Sequence, residues 1–379
     1  MGNDRMKPAM GWNSWNSFGY EISDQLIRET ADAMAERGFL EAGYEYVIID
    51  DCWSLRRRGE DGNMIPDPAK FPWGMKALSD YIHGKGMKFG MYSCCGAMTC
   101  AGFPGSLDHE FADADMFARW GVDYLKYDNC FKPESIPSEL LYRRMAMALR
   151  SCGRDILLAA CQWGTESVHQ WIRSSGADTY RSTGDIQDSW ASITGIVESQ
   201  WENQPYGAPG CFNDMDMLVV GMYGKGLNPD VISGGCSNEE YMTHFALWCM
   251  MGSPLIIGGD VREMSDAAVK ILTNKDLITI NQDPVCHSCY RLKMFDNAQG
   301  ITLVKPLADG SYAVGMFNFG DGESNMALNF WDLGIGFAEN VGLEIYDCIT
   351  HKSLGTHYEY FRTFASSHAC KVYRMRVVR

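Results

Sequence analysis

Over the first 290 residues, short continuous apolar runs alternate with stretches of helical periodicity. The run Pro8–Trp15 ends in Gly11-Trp-Asn-Ser-Trp. A helix follows it: Ser23 suits the N-cap, Leu26, Ile27, Thr30 and Met34 share one face, and Gly38 closes it. Tyr46–Trp53 reads as a strand buried on both faces, because its apolar residues run on without alternating. A polar loop over 54–72, a helix near 74–84 and a third strand, Lys88–Tyr92, come next. Helices near 108–119 and 137–151 then flank an aromatic strand ending at Asp128, and the second of them precedes the strand Asp155–Cys161. Short helices at 166–174 and 189–200 bracket Ala177–Arg181. Asn213–Val220 is the seventh strand, and a helix at 238–251 leads to the eighth, Pro254–Gly258. Eight strands alternating with helices predict a (β/α)₈ TIM barrel.

Beyond Asn281-Gln-Asp-Pro284 the period becomes two, in runs such as Ile301–Val304 and Ser311–Phe319 separated by Asp-Gly turns. The expected division is therefore a catalytic α/β barrel over 1–289 and a small C-terminal antiparallel β-sandwich domain over 290–379.

Barrel enzymes gather their chemistry at the C-terminal ends of the strands. Those ends carry Trp12 and Trp15; Asp50, Asp51 and Trp53; Tyr92; Lys126 and Asp128; Gln162 and Trp163; Arg181 and Asp185; Asp214 and Asp216. In the stretch Asp123–Cys130, alternation turns Lys126 and Asp128 to one face and Leu125 and Tyr127 to the other. An inward Lys-x-Asp pair is costly to desolvate; it is either a structural ion pair or part of a binding site. Aromatic faces rimmed by carboxylates suit a sugar, whose C–H faces cover rings and whose hydroxyls donate to carboxylates. None of the eight histidines falls at a strand end, which disfavours a transition-metal hydrolase. A Mg²⁺ site of Asp50, Asp51 and Asp128 is the mechanistic alternative, and no phosphate-cradling glycine loop occurs.

Two carboxylates could divide the work of glycoside hydrolysis. Asp128, beside cationic Lys126, is expected to stay ionised as nucleophile. Asp185, on the turn Ser182-Thr-Gly-Asp, could protonate a leaving group, although spacing alone favours a helix-capping role ahead of Asp188-Ser-Trp.

Charge narrows the partners. With 33 basic against 48 acidic residues the net charge is −15, which speaks against nucleic acid and anionic membranes. No apolar run reaches the roughly 20 residues of a membrane span. Met1–Met10 is polar, so the chain is expected to be cytoplasmic if its N-terminus is complete and secreted if a leader was removed. The fourteen cysteines do not form a dense scaffold and are expected to be mostly free thiols. Cys286-x-x-Cys289 has no second pair with zinc-site spacing. Assembly into a homo-oligomer is left open.

Six segments carry a resemblance. Gly11-Trp-Asn-Ser-Trp, Ile49-Asp-Asp-Cys-Trp, Thr99-Cys-Ala-Gly-Phe-Pro-Gly-Ser, Leu125-Lys-Tyr-Asp-Asn-Cys, Asn213-Asp-Met-Asp-Met-Leu and Ile280-Asn-Gln-Asp-Pro resemble, in order, glycoside hydrolase family 27. These enzymes are α-galactosidases (melibiases) and α-N-acetylgalactosaminidases. The resemblance implies the same barrel and β domain, a retaining double displacement without metal or cofactor, and an α-galactoside substrate, either a small molecule or an oligosaccharide. It implies Asp128 as nucleophile and Asp185 as acid/base, against the capping reading. It places the sugar pocket on Trp15, Asp50, Asp51, Tyr92, Lys126, Arg181, Asp216 and Met217, with Asp50 and Asp51 on the 4- and 6-hydroxyls, Lys126 on the 3- and 4-hydroxyls and Arg181 at the 2-position. It also implies a Cys100–Cys130 disulfide across the site. Cys52 and Cys161 lack the partners found in secreted members, where Tyr20 and about Ala177 stand here.

Gln162 stands where many α-galactosidases carry Glu and is expected to meet the 2-hydroxyl. It is bulkier than the serine of acetamido readers, whereas Thr165 is smaller than the leucine of some galactose-specific members. An α-N-acetylgalactosaminidase, a β-L-arabinopyranosidase and a non-catalytic galactoside-binding protein remain the alternatives.

Overall fold

The computed structural model describes residues 5–226, 235–292, 299–337 and 340–379; Met1 to Asp4, from the polar N-terminus discussed above, lie outside them. Eight parallel strands curl into one sheet: β1 (Met10–Asn13), β2 (Tyr46–Ile48), β3 (Lys88–Cys94), β4 (Tyr124–Asp128), β5 (Leu157–Cys161), β6 (Thr179–Arg181), β7 (Phe212–Asp214) and β8 (Leu255–Ile257). Their order is β8-β1-β2-β3-β4-β5-β6-β7. A parallel bridge between Leu218 and Ile257 closes the ring. The expected barrel is present.

The strand pattern explains the closure. Val47, Phe89, Met91, Leu125, Tyr127 and Leu158 face outward into the layer shared with the helices. Tyr46, Ile48, Tyr124, Leu157, Ala159, Met217 and Ile256 form a small separate cluster inside the barrel. Room for that inner layer is made partly by glycine, since a Cβ at Gly90 would lie 2.6 Å from Ile48 Cγ1. Above the layer the inward positions turn polar, so the alternation of β4 runs Tyr124, Lys126, Asp128.

Helix signals held where local chemistry decides them. Ser23 caps Asp24–Glu36 by accepting the Leu26 N–H, and Ser237 with Glu240 forms a capping box on the helix Asn238–Met251. Two expectations need correction. The polar loop 54–72 contains a hairpin, Ser54–Arg58 against Met64–Pro66. Arg58 anchors it by pairing with buried Asp113, a contact 55 residues away that no local pattern signals. The seventh strand ends at Asp214, because Asp216 takes φ +78° and turns the chain.

After the barrel, β9 (Tyr290–Leu292), β10 (Gly300–Pro306), β11 (Tyr312–Asn318), β13 (Gly342–Asp347), β14 (Lys352–His357) and β16 (Cys370–Val378) form one antiparallel sheet. The second sheet pairs β12 (Ser324–Asn329) with β15 (Tyr360–Ala365). Val314, Met316, Met326, Leu328, Phe361 and Met375 fill the space between the sheets. No helix among the described residues is long and apolar enough to cross a membrane.

Asp178 ties the lower ends of three barrel strands. Its carboxylate accepts the Leu158 N–H at 2.8 Å and meets Arg5 at 3.2 Å, and its carbonyl accepts the Phe212 N–H. Burial pushes this carboxyl up to about 6, against the opposing pull of the Leu158 N–H and Arg5. Because the folded value lies above the unfolded one, near 3.8, the folded state holds the extra proton in between. That stabilisation is complete below pH 3.8 and is lost as pH rises through 6. Asp178→Asn keeps an acceptor for Leu158 and removes the titration. Its unfolding free energy should therefore fall less than the wild type's between pH 4.5 and 7, by about 2 kcal/mol. Urea melts at the two pH values check this; parallel pH dependences would refute it.

Candidate active site

The site begins on β4. Lys126 Nζ donates to Asp50 Oδ2 at 2.7 Å, across from the end of β2. Asn13 Nδ2, at the end of β1, donates to the same oxygen at 2.8 Å, and Ser14 Oγ accepts the Asp50 N–H. Asp50 Oδ1 accepts the N–H of Asp51 at 2.9 Å. Asp51 in turn accepts the N–H of Cys52 at 2.7 Å and that of Ala101 at 3.1 Å. Burial pushes the Asp51 carboxyl up to about 6, opposed by Thr99 and these two N–H groups. Every oxygen of Asp50 and Asp51 thus faces a donor.

Asp128 is 6% exposed. Tyr92 Oη donates to its Oδ2 at 3.0 Å and the Asn129 N–H to its Oδ1 at 2.8 Å. Lys126, whose charge is expected to keep Asp128 ionised, does not bond to it. The ammonium bonds to Asp50 instead, and burial pushes the Asp128 carboxyl above its ordinary value despite the opposing charges of Lys126 and Arg181.

On the far wall, Arg181 at the end of β6 is buried. Its guanidinium donates to Asp185 Oδ1 and to the carbonyl of Thr183 and lies 3.6 Å from Asp216 Oδ1. Asp185 caps no helix: Ser189 accepts the Ser192 N–H at the start of Trp190–Ser199. Its carboxylate is 79% exposed at the cavity rim. Burial raises that group, but the charge and hydrogen bond of Arg181 prevail and hold it below the usual carboxylate range. Asp216 accepts the Ile186 N–H at 2.7 Å, fixing the turn that carries Asp185.

These side chains line one cavity of about 570 Å³. Trp15, Asp50, Asp51, Tyr92, Cys100, Lys126, Asp128, Trp163, Arg181, Asp185, Asp216 and Met217 all reach it. Gln162 and Thr165 do not. Gln162 is fully buried, its Nε2 donates to Thr165 Oγ1 at 2.6 Å, and its Oε1 has no partner among the described residues. The left-handed backbone at Trp163, φ +69°, turns the indole to the wall in its place. Sequence alternation cannot foresee such a reversal after a strand has ended. The implied disulfide is present, bridging Cys100 and Cys130, and the other twelve cysteines are free.

Several lining residues escaped the sequence reading, chiefly Asn16, Gln187, Asp188, Met222 and Lys225. Asp188 had been read only as a helix opener. Its carboxylate accepts the N–H of Gly224 at 2.7 Å, that of Cys236 at 3.2 Å and the hydroxyl of Tyr241 at 2.8 Å. A buried carboxylate holding segments 36 to 53 residues away leaves no local signal.

The family model described as "Alpha galactosidase A" matches residues 7–283, and "Alpha galactosidase C-terminal beta sandwich domain" matches residues 299–375. An alpha-galactosidase of Cyamopsis tetragonoloba is 40% identical over 367 residues, covering 97% of this chain and 85% of that protein. Alpha-galactosidase A of Cellvibrio japonicus is 42% identical over 325 residues, 83% of this chain and 76% of that protein. Among solved structures, alpha-galactosidase I from Mortierella vinacea matches with TM-score 0.91 at 31% identity, over 99% of this chain and 98% of that one. The alpha-galactosidase from Saccharomyces cerevisiae with raffinose matches at TM-score 0.89 and 27% identity, over 98% of each chain. With both of its layers matched in order, the chain belongs to the α-galactosidase (melibiase) family, glycoside hydrolase family 27.

Proposed function

We propose that the chain is a retaining exo-α-galactosidase that removes terminal α-D-galactosyl residues from small galactosides or oligosaccharides. One observation carries the reading: Asp128 and Asp185 share a cavity whose floor is the donor–acceptor set Asp50–Asp51–Lys126. The relatives at about 40% identity are alpha-galactosidases, and the yeast relative was solved with raffinose. The arabinopyranosidase and N-acetylgalactosaminidase folds resemble this chain at 21% identity and support the fold alone.

In the proposed reaction Asp50 and Asp51 accept from the 4- and 6-hydroxyls, Lys126 donates to the 3- and 4-oxygens, and Arg181 meets the 2-oxygen. An Asp128 oxygen attacks C1 as Asp185 protonates the departing glycosidic oxygen, leaving a galactosyl ester on Asp128. Asp185 then removes a proton from water, which attacks C1, opens the ester and restores both carboxyl groups. The alternative of a binding protein without turnover is disfavoured by the presence of both acids in the cavity.

Azide separates the two roles. Asp128→Ala should lower turnover about 10⁴-fold or more, and azide should then yield the β-galactosyl azide by direct displacement. Asp185→Ala should cost about 10²–10⁴ on poor leaving groups and far less on an activated phenol. With azide it should yield the α-azide, formed from the glycosyl-enzyme. Swapped or identical anomers, read by NMR, would overturn the assignment.

Substrate preference is the second test. Asp51 would accept from a 6-hydroxyl that the pentose lacks, so nitrophenyl α-galactoside should exceed the β-L-arabinopyranoside in kcat/KM. It should also exceed the N-acetylgalactosaminide, for which Trp163 crowds the wall. Trp163→Ala should raise KM for the galactoside about tenfold, some 1.4 kcal/mol. A wild-type kcat/KM favouring N-acetylgalactosamine would refute the galactosidase reading.

A further inference from the structure

Among the described residues, one group of metal-ligating side chains converges, and it lies in the sugar cavity. The two sulfurs of Cys100 and Cys130 and a carboxylate oxygen of Asp128 all lie within 4.8 Å of one another. As oxidised, the sulfurs are joined and offer no thiolate. The geometry points to a second state: once the disulfide is reduced, Cys100, Cys130 and Asp128 form a thiolate–carboxylate site for a soft or borderline divalent ion such as Zn²⁺. Occupation of that site takes Asp128 out of sugar chemistry.

Four features support this. The Cα atoms of the two cysteines are 5.2 Å apart, so the thiolates need little backbone movement to accept bonds of about 2.3 Å to one zinc ion. Two sulfurs and one oxygen leave a fourth tetrahedral position open to water. Among the described residues each Asp128 oxygen has one donor, Asn129 N–H on Oδ1 and Tyr92 Oη on Oδ2, so each keeps a lone pair for a metal. The same Tyr92 hydroxyl lies 3.9 Å from Cys130 Sγ, and so orients two of the three ligands from outside. Access is provided too, because Cys100 is exposed and lines the cavity.

The gate is chemical. A phosphine attacks one sulfur, the S–S bond breaks, and water converts the phosphorus adduct to phosphine oxide and releases the second thiol. Two electrons pass from phosphorus to the sulfur pair. Zinc then displaces both thiol protons and forms two Zn–S bonds and one Zn–O bond. Eleven of the twelve remaining thiols are buried, and Cys152, half-buried, is free in both redox states. Zinc taken up by Cys152 therefore cancels in a comparison of the two.

The experiment uses the whole chain, oxidised or reduced with a phosphine that is then removed by gel filtration without air. Zinc stoichiometry is measured by equilibrium dialysis, with and without saturating galactose. Reduced protein should bind one more equivalent than oxidised protein, and galactose should weaken that equivalent at least about tenfold by claiming Asp128. Cadmium should give a thiolate charge-transfer band only after reduction. Reduced Cys100→Ser and Cys130→Ser chains, each with one of the two sulfurs, should lose both the extra equivalent and the band. The galactose and inhibition arms rest on the proposed function: zinc should slow galactoside turnover at least about tenfold in the reduced enzyme, reversibly with chelator, and not in the oxidised one. Equal stoichiometry in the two redox states overturns the site, even if the enzyme proves to be a galactosidase. An extra equivalent that survives in both serine variants overturns it equally.

Discussion

The sugar end of the cavity depends on one ammonium taken out of water. Lys126 sits inward on β4, one step above the aromatic layer of Tyr124 and one below Asp128. Burial alone would drive it toward neutrality, and the carboxylates of Asp50 and Asp128 push it back well above its ordinary value. Stripping one partner from such a pair typically costs about 3–5 kcal/mol, because the other charge is left stranded. Asp50 is itself held by Asn13 and by the hydroxyl of Ser14 through its own N–H, so the pair fastens the ends of β1, β2 and β4 to each other. The contacts that order the barrel rim are therefore those that order the acceptors for a sugar, and neither can be loosened without the other.

Arg181 faces this pair with the reverse problem. It divides its charge between Asp216, which fixes the 182–189 turn, and Asp185, which must carry a proton to act as an acid. The guanidinium holds the Asp185 carboxyl below its ordinary value. On the proposed reading, a sugar hydroxyl that takes up Arg181's donors and covers the rim both weakens that hydrogen bond and desolvates the carboxyl, and each change moves it toward protonation. Once Asp128 has become a neutral ester, a negative charge has left the cavity and Asp185 falls again, as suits the base of the second step.

Much of this was legible in the sequence because it rests on short-range rules. Alternation put Lys126 and Asp128 on one face, Ser23 announced its helix, and the strand ends carried the carboxylates. The ordered motifs added the Cys100–Cys130 pairing, which spacing did not supply, and they are the source of the acid/base role proposed for Asp185. What stayed hidden depends on backbone reversals or distant partners. Gln162 and Trp163 both read as wall residues, and after the left-handed turn at Trp163 only the indole lines the cavity. Asp188 reads only as the start of a helix, whereas its carboxylate holds Gly224, Cys236 and Tyr241. The hairpin at 54–66 depends on Arg58 reaching Asp113.

The C-terminal sandwich bears on the site through the helix Asn238–Met251. Every residue of that helix from Thr243 to Met251 is buried, so it cannot be a surface helix with one apolar stripe. Toward the barrel, Trp248 Nε1 donates to the carbonyl of Asp216 at 2.8 Å, and the Val219 N–H donates to His244 Nε2 at 3.2 Å. Burial pushes His244 down to about 3, so it is a neutral acceptor here and does no acid–base work. Toward the sandwich, Thr243 donates to the carbonyl of His368, and Ile301, Leu303, Phe317 and Val372 share one apolar cluster with the helix. A helix that must grip the turn of Asp216 and Met217 from behind has to be apolar on its outer side as well, and the sandwich is what keeps that side dry. The second domain thus acts on the sugar pocket at one remove, by keeping dry a helix buried from Thr243 to Met251 behind its wall.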